Sequence, residues 1–222
     1  IMKNRDGINS MIKSDYFDKQ VSFSATDFTQ QDYKLWVSKN LEKNKDDKQG
    51  FKAFVGQLVH KASYDTPEID VIKEFSFKIV HDLEHTIGGS IDRLSFIDDM
   101  WVVEDIKTMG NFPAQKAYKD GKEEWVIQLS IYAWAMRKYG LKVSNYGVIH
   151  QYVMGYQKNK NSDMQEYNRI IIDLMDDAQV EDLINRKISI ACGDKPLLVD
   201  CPKFLCKDYC SYNQNCPSYK GD

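Results

Sequence analysis

The stretch from Thr86 to Ile106 constrains the chain more than any other. Two runs with strand-like alternation, Thr86 to Phe96 and Met100 to Ile106, flank the polar break Ile97-Asp98-Asp99-Met100. Alternating runs around so short a break read as a β-hairpin. A turn centred between Asp98 and Asp99 sets Asp92 opposite Asp105. Directly opposed antiparallel residues share a sheet face, their Cβ atoms about 4.5–5.5 Å apart. Lys107, two residues on, shares that face, and Glu104 points the other way. Like charges directly opposite destabilise a strand pair. Something cationic must compensate them, and Lys107 and a divalent metal are the candidates. A one-residue slip in register would put the two acids on opposite faces.

Around this hairpin the pattern alternates between helical and extended. Residues 1–22 are polar and read as a loose lead-in. Ser24-Ala25-Thr26-Asp27 offers N-cap chemistry, and Phe28, Tyr33, Leu35, Trp36 and Leu41 follow as an approximate helical stripe. The segment from Lys43 to Gly50 is a charged break. Phe51 to Ser63 reads as a second helix, and Ile69 to Val80 as a strand with Phe75, Phe77 and Ile79 alternating. Gly88-Gly89 suggests a bulge or a close backbone approach. Asn111 to Gly121 reads as a loop and Glu123 to Tyr139 as a helix with a strong apolar face. Tyr146 to Met154 and Asn168 to Leu174 read as strands, and Asp176 to Ile190 as a helix capped by Asp176 or Asp177. This order describes an α/β or α+β domain around one mixed sheet flanked by helices. The expected division is a core over residues 1–195 and a cysteine-rich tail over 196–222 packed upon it.

Composition narrows the classes. A chain of 222 residues with 42% hydrophobic and 28% charged residues has the balance of a globular domain. No apolar run approaches the roughly 20 residues of a membrane helix. The opening Ile-Met-Lys-Asn-Arg-Asp has no apolar stretch behind it, so no secretion signal is expected and a cytoplasmic location is. The net charge of −3 advertises no global basic field. A local stripe can still track phosphates. Lys116, Lys119 and Lys122, after Lys107, form such a stripe or a solvated loop, and Arg93 is a further candidate contact.

The acids and lysine carry the chemistry. Cutting a phosphodiester needs an activated water and neutralisation of the charge that builds on the phosphate, which a divalent ion supplies. Magnesium takes oxygen ligands and only one or two carboxylates, a demand that Asp92 and Asp105 match, with the Ile106 carbonyl as a further oxygen. Lys107 could hold the water or offset phosphate charge. The alternative is an ordinary pair of surface ion pairs. Gly56 and His60 lie one helical turn apart; the glycine permits close approach, and the imidazole is either a metal ligand or a half-exposed residue. Gln128 and Tyr132 likewise share a helix face and could hold the water, a carboxylate or a phosphate.

Taken in order, these elements resemble the PD-(D/E)XK nuclease superfamily, and within it the RecB-like branch. Gly56 and His60 stand as its Gly-x-x-x-His helix motif, Gly89-Ser90-Ile91-Asp92-Arg93 as the setting of its first acid, Asp105-Ile106-Lys107-Thr108 as Asp-x-Lys-Thr, and Gln128 with Tyr132 as Gln-x-x-x-Tyr. The resemblance implies a restriction-endonuclease-like core in which His60, Asp92, Asp105 and the Ile106 carbonyl hold Mg²⁺ or Mn²⁺. It makes Lys107 catalytic, with Gln128 and Tyr132 in support. The implied activity is a DNA exonuclease acting on single strands or duplex ends in recombination, repair or phage DNA processing, with recombination or replication proteins as partners and a bacterial or phage-infected cell as setting. The rivals are an inactive nucleic-acid-binding module of the same fold, an RNA or flap endonuclease, and a small-molecule phosphoesterase.

The five cysteines all fall from Cys192 onward. In a cytosolic chain such clustering reads as metal binding before disulfides. Cys206, Cys210 and Cys216, followed by Pro217, resemble the C-terminal group of iron–sulfur relatives. The early cysteine of those relatives has no counterpart between Gln30 and Trp36, leaving Cys201 or Cys192 as the fourth ligand. Four thiolates suit [4Fe–4S] or Zn²⁺; the resemblance points to the cluster, and two disulfides are the third option.

Overall fold

The structure is a computed structural model that describes residues 22–42, 51–65, 68–158, 162–196 and 210–216. The lead-in up to residue 21 and the charged break at 43–50 lie outside the described residues. The strands are β1 (Phe23–Ser24), β2 (Val71–Val80), β3 (Thr86–Ile97), β4 (Met100–Gly110), β5 (Tyr146–Met154) and β6 (Tyr167–Asp173). The α-helices are α1 (Asp32–Asn40), α2 (Phe51–Asp65), α3 (Asn111–Asp120), α4 (Glu123–Lys138) and α5 (Asp177–Cys192). The six strands form one mixed sheet in the order β1-β3-β4-β5-β6, with β2 on β3. The central mixed sheet flanked by helices is therefore observed.

The hairpin forms around Asp98 and Asp99, both at positive φ (48° and 59°), the conformation of a two-residue turn that matches strand twist. Its ladder runs from Ile97–Met100 to Arg93–Glu104 and ends there. Asp92 and Asp105 are the next residues, so the acids stand where the two strands stop pairing. Beyond that point β4 is held by β5 alone, in parallel from Glu104–Val148 to Gly110–Met154. The same edge of β3 pairs with β1 at Ile87 and Gly88. Between Gly88 and Arg93 that edge carries neither neighbour, and the sheet opens.

The irregularity in β3 falls at the first acid. The β2–β3 ladder keeps one register throughout but skips the pair Glu74–Asp92, and Glu74 has φ 52°. Ile91 and Leu94, both fully buried, join one core although three apart. Strict alternation forbids that, so the strand changes phase at Asp92. Gly88-Gly89 shows the close approach instead. A Cβ on Gly89 would stand 2.9 Å from the Phe77 ring and 3.3 Å from the Ala25 Cβ.

Two further expectations are corrected. The Ser24 cap does open a helical segment, with the Ser24 N–H donating to Asp27 Oδ2 at 2.8 Å. It is only a 3-10 turn over Ala25–Thr29, and α1 starts anew at Asp32. Asn111 to Gly121 is a helix, not a loop. Pro113 falls in its first turn, where its missing N–H costs nothing, Ala114 and Ala117 bury one face, and Gly121 at φ 71° stops it.

The core lies between the sheet and α4. Nearly every residue from Trp125 to Met136 is buried, so α4 is packed on all sides rather than along one stripe. α5 lies against α4 and α1, with Asp176 capping α5 by accepting the Gln179 N–H at 2.8 Å. No described helix is long and apolar enough to cross a membrane.

Candidate active site

A helix buried on all sides must satisfy its polar groups internally, and this dictates the local geometry. Gln128 and Tyr132, one turn apart on α4, are 7% and 3% exposed. Gln128 Nε2 donates to the Tyr132 hydroxyl at 2.8 Å and to Asp105 Oδ1 at 3.1 Å. Its Oε1 accepts from Lys107 Nζ at 3.0 Å. The amide of Gln128 therefore orients both the acid and the lysine of β4. Tyr132 is held in turn by edge-on contact with Phe77, centroids 5.8 Å apart.

Asp105 is 2% exposed. Lys107 Nζ stands 2.7 Å from its Oδ2 as an ion pair, yet that oxygen accepts no well-formed hydrogen bond. Lys107 is the counter-charge of this buried oxygen, and a carboxylate oxygen met by a cation is one that a hard divalent ion also suits. Burial pushes the Asp105 carboxyl up to about 6; the nearby Lys107 opposes this, and the nearby Asp92 adds to it.

Asp92 reaches β4 across the gap where the ladder ends. Its Oδ2 accepts the backbone N–H of Ile106 at 2.8 Å. Its Oδ1 lies 3.5 Å from His60 Nδ1, and His60 Nε2 lies 3.1 Å from the Ile106 carbonyl oxygen. A carbonyl only accepts, so Nε2 carries a proton. Asp92, as hydrogen-bond partner, is the main reason the His60 pKa is raised. Gly56 brings α2 this close: a Cβ there would stand 3.1 Å from Thr108 Oγ1 on β4.

His60, Asp92, Asp105, Ile106, Lys107, Gln128 and Tyr132 thus form one connected cluster. Among the described residues no group of three His, Cys, Asp or Glu side chains forms a ready metal cage. Asp92, Asp105 and the Ile106 carbonyl are oxygen donors of the kind that suits magnesium, which keeps several waters. The donor set therefore fits a hard divalent ion.

Arg93 lies elsewhere, on the other sheet face from Asp105. Its Nε donates to Glu104 Oε2 at 2.9 Å and its terminal nitrogens to Glu68 at 2.6 and 2.5 Å. Lys116 and Lys119 are exposed on α3, and Lys122, at the N-cap of α4, is half-buried with Nζ 5.7 Å from the Trp125 ring centroid. Of the cysteines, Cys201 and Cys206 lie outside the described residues. Cys216 Sγ is 3.5 Å from the Tyr33 hydroxyl on α1. Cys192 Sγ is 3.6 Å from His85 Nε2, whose Nδ1 is 2.9 Å from Asp82.

His150 and Gln151 escaped the sequence reading, and Glu104 entered it only as facing away from the two acids. Glu104, 3% exposed, is bridged to Arg93 and to His150 Nε2 at 2.9 Å. Gln151, fully buried, is the register partner of Lys107. The adjacent polar pair His150-Gln151 inside an otherwise apolar strand was the signal for these two.

No curated protein matches the chain in sequence. Among solved structures, the crystal structure of SSO0001 is similar with a TM-score of 0.57 and 14% identity, covering 100% of this chain and 98% of that one. A phage related exonuclease from Haemophilus somnus 129PT aligns at a TM-score of 0.39 and 16% identity over 65% of this chain and 70% of that one. The sequence profile of the PD-(D/E)XK nuclease superfamily matches residues 22–217. With that match spanning most of the chain, the protein belongs to the PD-(D/E)XK nuclease superfamily.

Proposed function

We propose that the chain is a divalent-metal-dependent deoxyribonuclease of the RecB-like branch, an exonuclease acting on single strands or duplex ends in recombination, repair or phage DNA processing. The observation that carries the reading is Asp105: a buried acid held by Gln128 and paired with Lys107, beside Asp92 at the opening of the sheet. Asp92, Asp105 and the Ile106 carbonyl, with His60 beside them, would hold Mg²⁺ or Mn²⁺. Such an ion activates water and neutralises charge on the phosphate.

The chain's own residues do the rest. Lys107, 28% exposed at its side chain, is within reach of a phosphate at the opening while Gln128 keeps its ammonium beside Asp105. It offsets charge on the scissile phosphate and can hold or deprotonate the attacking water. Tyr132 fixes Gln128, so both support residues act through positioning. The tail, by resemblance, carries a [4Fe–4S] cluster, with Zn²⁺ as alternative, on Cys206, Cys210, Cys216 and Cys201, as an extension of the core in a cytoplasmic protein.

The test is hydrolysis of labelled single- and double-stranded DNA with Mg²⁺ or Mn²⁺. Wild type should cleave. Asp105→Ala and Lys107→Ala should each lose on the order of a thousandfold, the scale of losing a main electrostatic group. Cleavage surviving either change sinks the assignment, and tight binding without cleavage leaves a binding module.

A further inference from the structure

Lys107 and Gln151 are register partners on the parallel strands β4 and β5, so their side chains share the face that carries Asp105. Gln151 is fully buried. Its Nε2 donates to the Ala114 carbonyl of α3 at 3.3 Å, and its Oε1 accepts from Asn168 Nδ2 at 3.0 Å. Strands lie about 4.8 Å apart, so this amide ties α3 close beside the lysine. α3 then buries Ala114 against Val153 and Met164.

That docking decides what α3 shows to solvent. Phe112, Lys116 and Lys119 recur at helical spacing and point away from Ala114 and Ala117. Phe112 is 81% exposed. A single exposed apolar residue needs no explanation by itself. This one sits at the start of the helix that continues the strand of Asp105 and Lys107. Neither Lys116 nor Lys119 forms an ion pair with a described residue. From Lys107 to the end of β4 is three strand steps, about 10 Å, so a strand bound at Lys107 need extend only a short way to reach Phe112.

Resting on the nuclease reading, we propose that this face of α3 seats an unpaired nucleic-acid strand leading to the Asp105–Lys107 site. Phe112 stacks on a base and Lys116 and Lys119 follow the phosphates. The ring selects the substrate class. A base in a single strand or a frayed end offers its π-face to an aromatic side chain, whereas a duplex keeps that face inside its own stack. The lysines supply the sequence-independent attraction to phosphate.

The experiment is fluorescence anisotropy of the full chain in EDTA at low salt, with a fluorescein-labelled oligo-dT and a blunt duplex of equal length. Phe112→Ala should weaken binding of the single strand about 5- to 150-fold, the loss of one base–aromatic stack. Binding of the duplex should change less than about twofold, and Phe112→Trp should restore the single strand. Lys116→Gln with Lys119→Gln should lower the salt slope for the single strand by about 0.7 per lost contact. The inference is overturned if wild type does not bind the single strand, if Phe112→Ala binds it as wild type does, or if the loss is equal for the duplex. Single-strand binding through Phe112 without any metal-dependent cleavage would sink the activity and leave this surface standing. Cleavage indifferent to Phe112 would do the reverse.

Discussion

At the residue scale, Asp105 trades stability for chemistry. Its folded-state pKa, about 6, lies above the ordinary 3.8 because the carboxyl is buried. The sign follows: ionisation costs nothing below the ordinary value and its full amount above about 6. At 1.36 kcal/mol per unit that amount is at most about 3 kcal/mol. Asp105→Asn should therefore abolish cleavage yet raise the melting temperature of the metal-free protein at pH 8 by several degrees, at ~2–4 °C per kcal/mol. The gap should close at pH 4; equal melting temperatures at pH 8 would refute the burial argument. His60 works the other way. Its raised pKa comes first from Asp92, so the charged ring is favoured by the folded state and proton and metal compete for the same site. Mn²⁺ affinity, followed by calorimetry, should rise with pH as Asp105 loses its proton near 6 and on until His60 is neutral, and His60→Ala should leave only the part of the rise that Asp105 sets.

At the element scale, the site is made by a sheet that stops pairing at a set place. The last ladder step, Arg93–Glu104, is also an ion pair at 2.9 Å, its members the chain neighbours of Asp92 and Asp105. Breaking such a buried pair costs about 3–5 kcal/mol. Glu104→Ala should show a loss of that order in urea unfolding at pH 7. Burial works against the charged form of Glu104, but His150 and Arg93 outweigh it and hold the carboxyl below its ordinary range. Its stabilisation is present above the ordinary value and fades as pH falls through the depressed one. The penalty of Glu104→Ala should thus shrink in acid; a constant penalty would contradict the ion pair's role. The hairpin register was legible because polar turn residues and alternation fix it locally. The phase change at Asp92 was not, because it needs Glu74 on another strand to leave the ladder with it. The helix α3 was missed for a similar reason. Its apolar face is two alanines, enough only because Val153 and Met164 receive Ala114 and the main core receives Ala117.

At the scale of the whole molecule, α4 ties the site to the core, since the helix that carries Gln128 and Tyr132 also fills the space between sheet and α5. The tail returns to the opposite end of the chain. Asn215 Nδ2 donates to the Glu42 carbonyl at 2.8 Å, and Cys216 meets Tyr33. If the cysteines hold a metal, ligation stabilises this return. Stripping the metal should lower the melting temperature. Purified protein should be coloured if iron–sulfur is bound and colourless with stoichiometric zinc if not; metal-free protein melting unchanged would remove the proposal. Order along the chain, the hairpin register and the spacing of His60, Asp92, Asp105, Lys107, Gln128 and Tyr132 were set by the sequence, because each depends on residues within a turn or a strand of one another. Tertiary structure alone decided that Glu68 joins Glu104 on Arg93, that β3 and β4 stop pairing at Asp92 and Asp105, and that Gln151 draws α3 beside Lys107. Those outcomes depend on burial and on partners distant in sequence, which local pattern does not encode.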